Sequence, residues 1–254
     1  MLNALSLRGV AKRYRAGIRG CSVTVDVLRG VDLDVEAGEV VGVVGGVGAG
    51  KSTLLLCSAG LLRPDAGTVE WFGVGRQSSV PPPPGVVYVA DRPAHYGFLT
   101  VRDAVEYHAT LYDAPGGMER GRPGESLERA GLRGLADRRL STLGRGALRR
   151  LVVAQALVRA PRLLLLDETL TELDPDARAS LRAVMARLAD DGVSIVIAAR
   201  EPGSLAGVVH RVVLLDRGRA RGGRAVAGAE AQSSTPAARV AEGVEDARAR
   251  GPLR

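Results

Sequence analysis

The sequence predicts an α/β fold: a mainly parallel sheet with crossover helices, an antiparallel flap before it and a helical insert in its middle. Three observations predict this. Residues 40–44, 86–89, 163–166, 194–198 and 212–215 are short runs without a charge, the pattern of strands buried on both faces. Between them lie stretches with apolar residues at helical spacing, about 51–62 and 176–188. At the start, residues 5–14 and 23–35 alternate apolar and polar, which reads as antiparallel strands.

Along the chain, Gly38-Glu39 marks the turn into the first buried strand. The helix from Lys51 to about Leu62 is closed by Arg63-Pro64-Asp65-Ala66-Gly67, a strong turn signal, and residues 68–72 form a short strand. The four prolines at 81–84 read as a surface polyproline spacer. Residues 100–157 are helical in pattern, broken at Pro115-Gly116-Gly117 and at Gly121-Arg122-Pro123-Gly124. After Gly218 large apolar residues become scarce. The expected organisation is one domain over 1–220, with a helical subdomain at about 92–158. The tail over 221–254 is expected to be disordered or a loosely attached helix.

Composition narrows the function. With 254 residues and 46% apolar content the chain can bury one good core. No apolar stretch approaches the roughly 18 residues of a spanning helix, and residues 1–10 lack the basic-then-apolar pattern of a signal peptide. A soluble, cytoplasmic chain is expected. Cys21 and Cys57 are too few for a disulfide framework or a metal site. The net charge of +7 comes from scattered arginines, and only 3% of residues are aromatic, so no nucleic-acid partner is expected. Lysine occurs only at positions 12 and 51. At 51 a compact point charge is wanted instead of a planar fork.

Position 51 lies in Gly45-Gly46-Val47-Gly48-Ala49-Gly50-Lys51-Ser52, a full match to G-x-x-x-x-G-K-S/T, with Thr53 following. It sits where that motif must sit, between a buried strand and a helix. The fold is thus expected to be that of P-loop NTPases. The glycines let the backbone wrap phosphates, and the helix N-terminus adds positive potential. Lys51 would reach the β- and γ-phosphates of ATP, and the Ser52 hydroxyl would join the Mg²⁺ shell. The run at 163–166 delivers Asp167 and Glu168 to the carboxyl edge of the sheet, where ligands bind in open α/β folds. Asp167 would hold Mg²⁺, mostly through water; Glu168 would act as general base on the attacking water.

Together these motifs resemble the ATPase subunits of ABC transporters, over about residues 5–220. The most specific stretches are Val27-Leu-Arg-Gly-Val-Asp-Leu33 leading to Gly38-Glu39, the P-loop with Thr53-Leu54, and Arg159-Ala-Pro-Arg-Leu-Leu-Leu-Leu-Asp-Glu168. Leu173-Asp174-Pro175 resembles the family's D-loop, and residues 133–158 its signature-bearing helical segment. Tyr14 falls where the family stacks a ring on adenine; a half-exposed strand tyrosine is the equal alternative. Leu99-Thr100-Val101 resembles the stretch that faces the membrane subunits. The resemblance implies a polytopic membrane subunit on a separate chain, pairing as a homodimer or as a heterodimer with another ABC ATPase, and a place at the inner face of the cell membrane. It looks most like subunits serving exporters.

The sequence departs from the family where chemistry is done. The signature, LSGGQ in the family, falls at Leu143-Gly144-Arg145-Gly146-Ala147, so Gly144 replaces its serine. Ser141 cannot substitute without a three-residue insertion. Asp91 stands at the Q-loop glutamine and Arg200 at the switch histidine; Thr169 follows Glu168 in place of proline. These losses remove donors around the γ-phosphate and water, so intact ATP binding with impaired hydrolysis is expected. The alternative is a non-hydrolysing, nucleotide-sensing subunit, which the retained Glu168 opposes.

Overall fold

The computed structural model describes residues 3–18, 21–76, 82–91, 95–111, 122–170 and 173–222. Two long strands, β1 (Asn3–Ile18) and β2 (Cys21–Glu36), pair antiparallel. With β4 (Ala66–Trp71) and β5 (Val74–Arg76) they form a four-stranded sheet of order β2-β1-β4-β5. A second sheet contains β3 (Val40–Val44), β6 (Val86–Val89), β7 (Leu163–Asp167), β8 (Ser194–Ala199), β9 (Arg211–Asp216) and β10 (Arg219–Arg221). Its order is β10-β9-β3-β8-β7-β6, and every pair but β10–β9 is parallel.

The parallel strands are buried on both faces, which is why they lack alternation in the sequence. Their side chains still divide by twos. Val41, Val43, Leu163, Leu165, Val196 and Ala198 join a core with the antiparallel sheet and α1 (Lys51–Ser58). Val40, Val44, Leu164, Leu166, Ile195 and Ile197 join a second core with α4 (Arg145–Leu157) and α5 (Pro175–Asp190). Residues 163–166 are fully buried, each contributing about 1.5–3 kcal/mol. A charge within this strand would break the sheet beside the phosphate loop.

The helical insert comprises α2 (Val101–Leu111), α3 (Pro123–Arg129) and α4, with 3-10 turns at Arg133–Leu135 and Leu140–Thr142. Its core joins Val101, Val105, Leu127, Leu132 and Leu140 to Leu151 and Ala154 of α4 and to Val158 just after it. The other face of α4, with Val152, Val153, Ala156 and Leu157, packs on the sheet. Helical periodicity therefore makes α4 the strut between insert and sheet. Among the described residues, no helix is long and apolar enough to cross a membrane.

Two boundaries differ from the sequence reading. The helix after the phosphate loop ends at Ser58 instead of near Leu62, because Gly60 takes φ 67 and Leu61 and Leu62 both donate to the Leu56 carbonyl. The chain after Gly218 begins with a strand. Arg217 and Gly218 both have positive φ (45 and 77), the geometry of a primed hairpin turn, and this turn returns the chain as β10. The tail expected over 221–254 otherwise lies outside the described residues, as do Pro81 and the Pro115-Gly116-Gly117 break.

Candidate functional site

The site forms where β3, β7 and β8 end side by side. β3 runs into the phosphate loop because Gly45 donates to the Ala199 carbonyl at 3.2 Å, which binds the loop to the end of β8. The loop's far side is fixed by the hairpin: the Gly218 amide donates to Ala49 at 3.2 Å, while the Gly218 carbonyl accepts from Arg29 at 2.8 Å. Gly50 enters α1 at φ 103, and a Cβ there would lie 2.9 Å from the Val27 carbonyl. Only glycine fits that turn without displacing β2.

A cavity of about 400 Å³ opens at this edge, lined by residues 47–53 together with Val27, Asp91, Asp167, Glu168 and Arg200. Val47, Gly48, Ala49, Gly50, Lys51, Ser52 and Thr53 thus line it, whereas Gly45 and Gly46 are not among the described lining residues and meet the site through their carbonyls on Lys51. The Lys51 ammonium is 5% exposed. It donates to the carbonyls of Gly45 (2.8 Å) and Gly46 (3.0 Å) and lies 3.3 Å from Glu168 Oε1. Three donors meet three acceptors, so an entering phosphate must displace at least one of them.

Asp167 closes β7, in register with Ala198, and Glu168 follows at φ 47 with its amide bonded to the Ala198 carbonyl at 3.1 Å. A left-handed glutamate costs of order 1–3 kcal/mol and persists only where its surroundings hold it. Here it turns the carboxylate into the cavity instead of along the strand. Glu168 Oε2 accepts from Arg200 Nε at 2.7 Å. Asp167 is 3% exposed; one oxygen accepts from the Tyr88 hydroxyl, and the other, Oδ1, is buried with no partner among the described residues. A buried carboxylate oxygen without a donor is the chemistry of a cation ligand. Asp167 and the cavity-lining Ser52 fit Mg²⁺.

The remaining sequence candidates separate into near and far. Asp91 lines the cavity, and its carbonyl and carboxylate are both held by Arg149 of α4. Tyr14 lies on β1 opposite Val25, 40% and 49% exposed respectively, and is not among the described residues lining the cavity. Gly144 caps α4 with φ −72 and ψ 162 and also lies away from the cavity. Ser141 is exposed in the preceding 3-10 turn. His210 bonds Val40 at the opposite end of β3. Sequence reasoning missed the Arg200–Glu168 pair, Tyr88 and the Gly218 turn. The first was legible only as two residues at the ends of what proved to be neighbouring strands.

A third group clusters on the insert. Tyr96, Phe98 and Tyr107 are 55%, 75% and 44% exposed. Their rings are in contact, with centroids 5.9 Å apart for Tyr96–Phe98 and 6.2 Å for Tyr96–Tyr107. In a chain with 3% aromatic residues, three exposed rings together form a marked apolar patch.

Comparison with known proteins agrees with this geometry. The fold matches an ATP-binding cassette of an ABC transporter, MJ1267 in its ADP conformation, with a TM-score of 0.77 and 17% identity over 98% of this chain and 97% of that one. It also matches the dimeric cassette MJ0796, with a TM-score of 0.70 and 24% identity over 85% and 96% of the two chains. The sulfate/thiosulfate import ATP-binding protein CysA of Mycolicibacterium paratuberculosis is 35% identical over 85% of this chain. The methionine import protein MetN of Thermobifida fusca is 33% identical over 86% of it. The chain spans 58% of that CysA and 68% of that MetN. Both are import proteins, so the exporter expectation gains no support. Residues 28–171, from the middle of β2 through the phosphate loop and α4 to just past Glu168, match the family model described as ABC transporter. On the strength of that match and of the site it encloses, the chain belongs to the ABC transporter family.

Proposed function

We propose that the chain binds Mg-ATP in this cavity and hydrolyses it slowly, as the ATPase subunit of an ABC transporter whose membrane-spanning part is a separate polytopic chain. The observation that carries the reading is the convergence of Lys51, Asp167 and Glu168 on the wall of one cavity of about 400 Å³. Lys51 exchanges its loop carbonyls for the phosphates. Asp167 and the Ser52 hydroxyl would hold Mg²⁺, which would supply neutralising charge for the phosphates. Glu168 accepts the proton of the attacking water. Tyr14, with Val25 across the ladder, offers the base an apolar surface on the sheet whose Val27 borders the cavity.

Slow turnover follows from what surrounds the phosphate. Gly144 offers no hydroxyl at the signature, Asp91 offers no amide, and Arg200 must leave Glu168 before that carboxylate can meet the water. The signature lies away from this cavity, which supports its use on the nucleotide of a second cassette, in a homodimer or a heterodimer. The exposed patch of Tyr96, Phe98 and Tyr107 is the surface we assign to the membrane subunit, which would hold the chain at the cytoplasmic face.

Calorimetric titration with Mg-ATP and a coupled phosphate-release assay test this. Binding by the wild type, its loss in Lys51→Ala, and turnover abolished in Glu168→Gln are expected. Wild-type turnover of about 1 s⁻¹ or faster, the low end of ordinary enzymes, would overturn slow hydrolysis. Failure to bind Mg-ATP would overturn the whole reading.

A further inference from the structure

Glu168 is held between two cations in the conformation seen. Its side chain is only 11% exposed, and each oxygen faces a cation: Oε1 lies 3.3 Å from Lys51 Nζ and Oε2 lies 2.7 Å from Arg200 Nε. Each oxygen thus already holds a cation, and a water approaching Oε2 competes with the Arg200 guanidinium for it. Hydrolysis therefore requires one of these contacts to open.

The two cations are unequally free to move. Lys51 is 5% exposed and is the first residue of α1. The Arg200 side chain is 47% exposed and follows the last residue of β8, so its guanidinium can swing while its backbone stays. Glu168 is less free to follow it, because its side chain is buried and its left-handed backbone is tied to Ala198 at 3.1 Å. Arg200 also lines the cavity beside the phosphate loop. A γ-phosphate entering there brings more negative charge than one carboxylate and accepts the same fork of donors.

We propose that Arg200 is a nucleotide-gated latch on the general base. It holds the Glu168 carboxylate when the cavity is empty or carries ADP, and passes to the γ-phosphate when ATP enters. This rests on the proposed ATPase reading and deepens it. Once Arg200 has moved, Glu168 Oε2 is open to the attacking water. The water oxygen bonds to the γ-phosphorus, and the bond from that phosphorus to the β–γ bridging oxygen breaks. ADP leaves with the electron pair, and the water's proton passes to Glu168. ADP lacks the group that draws Arg200 away, so the product state re-latches.

The latch predicts energetic coupling between Arg200 and Glu168 in ATP binding, and none in ADP binding. Affinities of the full chain for ATP and ADP with Mg²⁺ are measured for the wild type, Arg200→Gln, Glu168→Gln and the double variant. Glu168→Gln releases Arg200 and is expected to tighten ATP about tenfold or more, the worth of one charge-assisted hydrogen bond. In the Arg200→Gln background the same substitution should give about threefold or less. Arg200→Gln alone should narrow the preference for ATP over ADP, with Arg200→Lys intermediate. Additive effects of the two substitutions on ATP affinity would overturn the latch, as would equal coupling in ADP binding. Full hydrolysis by Glu168→Gln would instead overturn the role of Glu168 as base, which is a separate failure.

Discussion

The Tyr88 hydroxyl donates to Asp167 Oδ2 at 3.1 Å and leaves Asp167 Oδ1 buried, with no protein partner among the described residues. β6 and β7 are parallel neighbours, with Tyr88 in register with Leu165, so the phenol reaches along the sheet edge to the end of the adjacent strand. Burial and the Asp167 carboxylate both push the phenol up from its ordinary value, which keeps it a donor at any physiological pH. One oxygen is thereby fixed, and the other is left for the cation proposed above.

Removing that hydroxyl should weaken Mg²⁺ binding more than nucleotide binding. In Tyr88→Phe the Mg²⁺ concentration giving half-maximal ATP affinity should rise about ten- to a hundredfold, the range seen when a residue supporting a metal ligand is lost. Affinity for ATP in excess EDTA should not change. Calorimetric titrations with and without Mg²⁺ separate the two, and equal weakening in both would assign Tyr88 to packing alone.

The aromatic patch makes a second prediction. Phe98 is 75% exposed and does not line the cavity, so Phe98→Asp should leave folding and ATP affinity of the isolated chain unchanged. A buried aromatic anchor at an interface is worth about 2 kcal/mol or more, so association with the membrane subunit in detergent should weaken about thirtyfold. Retained association with this variant would remove the patch from the docking surface.

Much of this site was legible in the sequence, because its parts are local. The phosphate loop needs contiguous residues between a strand and a helix, and the runs at 40–44 and 163–166 are apolar throughout. Asp174 announces α5 in the same way: it precedes Pro175 and accepts from the Ala177 amide at 2.8 Å. Pairings between distant strands were not legible. That Arg200 meets Glu168 depends on β8 lying between β3 and β7, an order periodicity does not encode. β10 was missed because three residues rich in arginine carry no apolar alternation; only the Arg217-Gly218 turn marks it.

Acid should loosen the helical insert. His95 and His108 are both half-buried, and burial is the largest cause holding each imidazole below its ordinary value of 6.5. Arg149 and His108 add to the effect at His95, and Arg159 at His108. The unfolded chain therefore binds more protons than the folded one below about pH 6.5. The stability carried by the neutral rings is complete above that value and is lost as pH falls toward the depressed folded values. Thermal melts from pH 7.5 to pH 5 should show a falling midpoint, with a smaller fall in a His95→Gln/His108→Gln variant. Identical slopes would exclude both histidines.

Restoring the signature hydroxyl tests why turnover is slow. Gly144 has extended φ and ψ and no side chain to cap the helix, and a Cβ there would meet nothing within 4 Å. Gly144→Ser therefore fits without strain and adds a good N-cap to α4, worth a few tenths of a kcal/mol, so the melting temperature should rise slightly. If the signature of one cassette serves the nucleotide of another, the new hydroxyl also supplies a donor to that γ-phosphate. Turnover should then rise about tenfold or more, at protein concentrations where ATP closes the dimer. The rise should disappear on dilution below the dimerisation midpoint, because an isolated chain cannot present its signature to its own cavity. A stabilised variant with unchanged turnover at every concentration would place the defect at Asp91 or Arg200 instead.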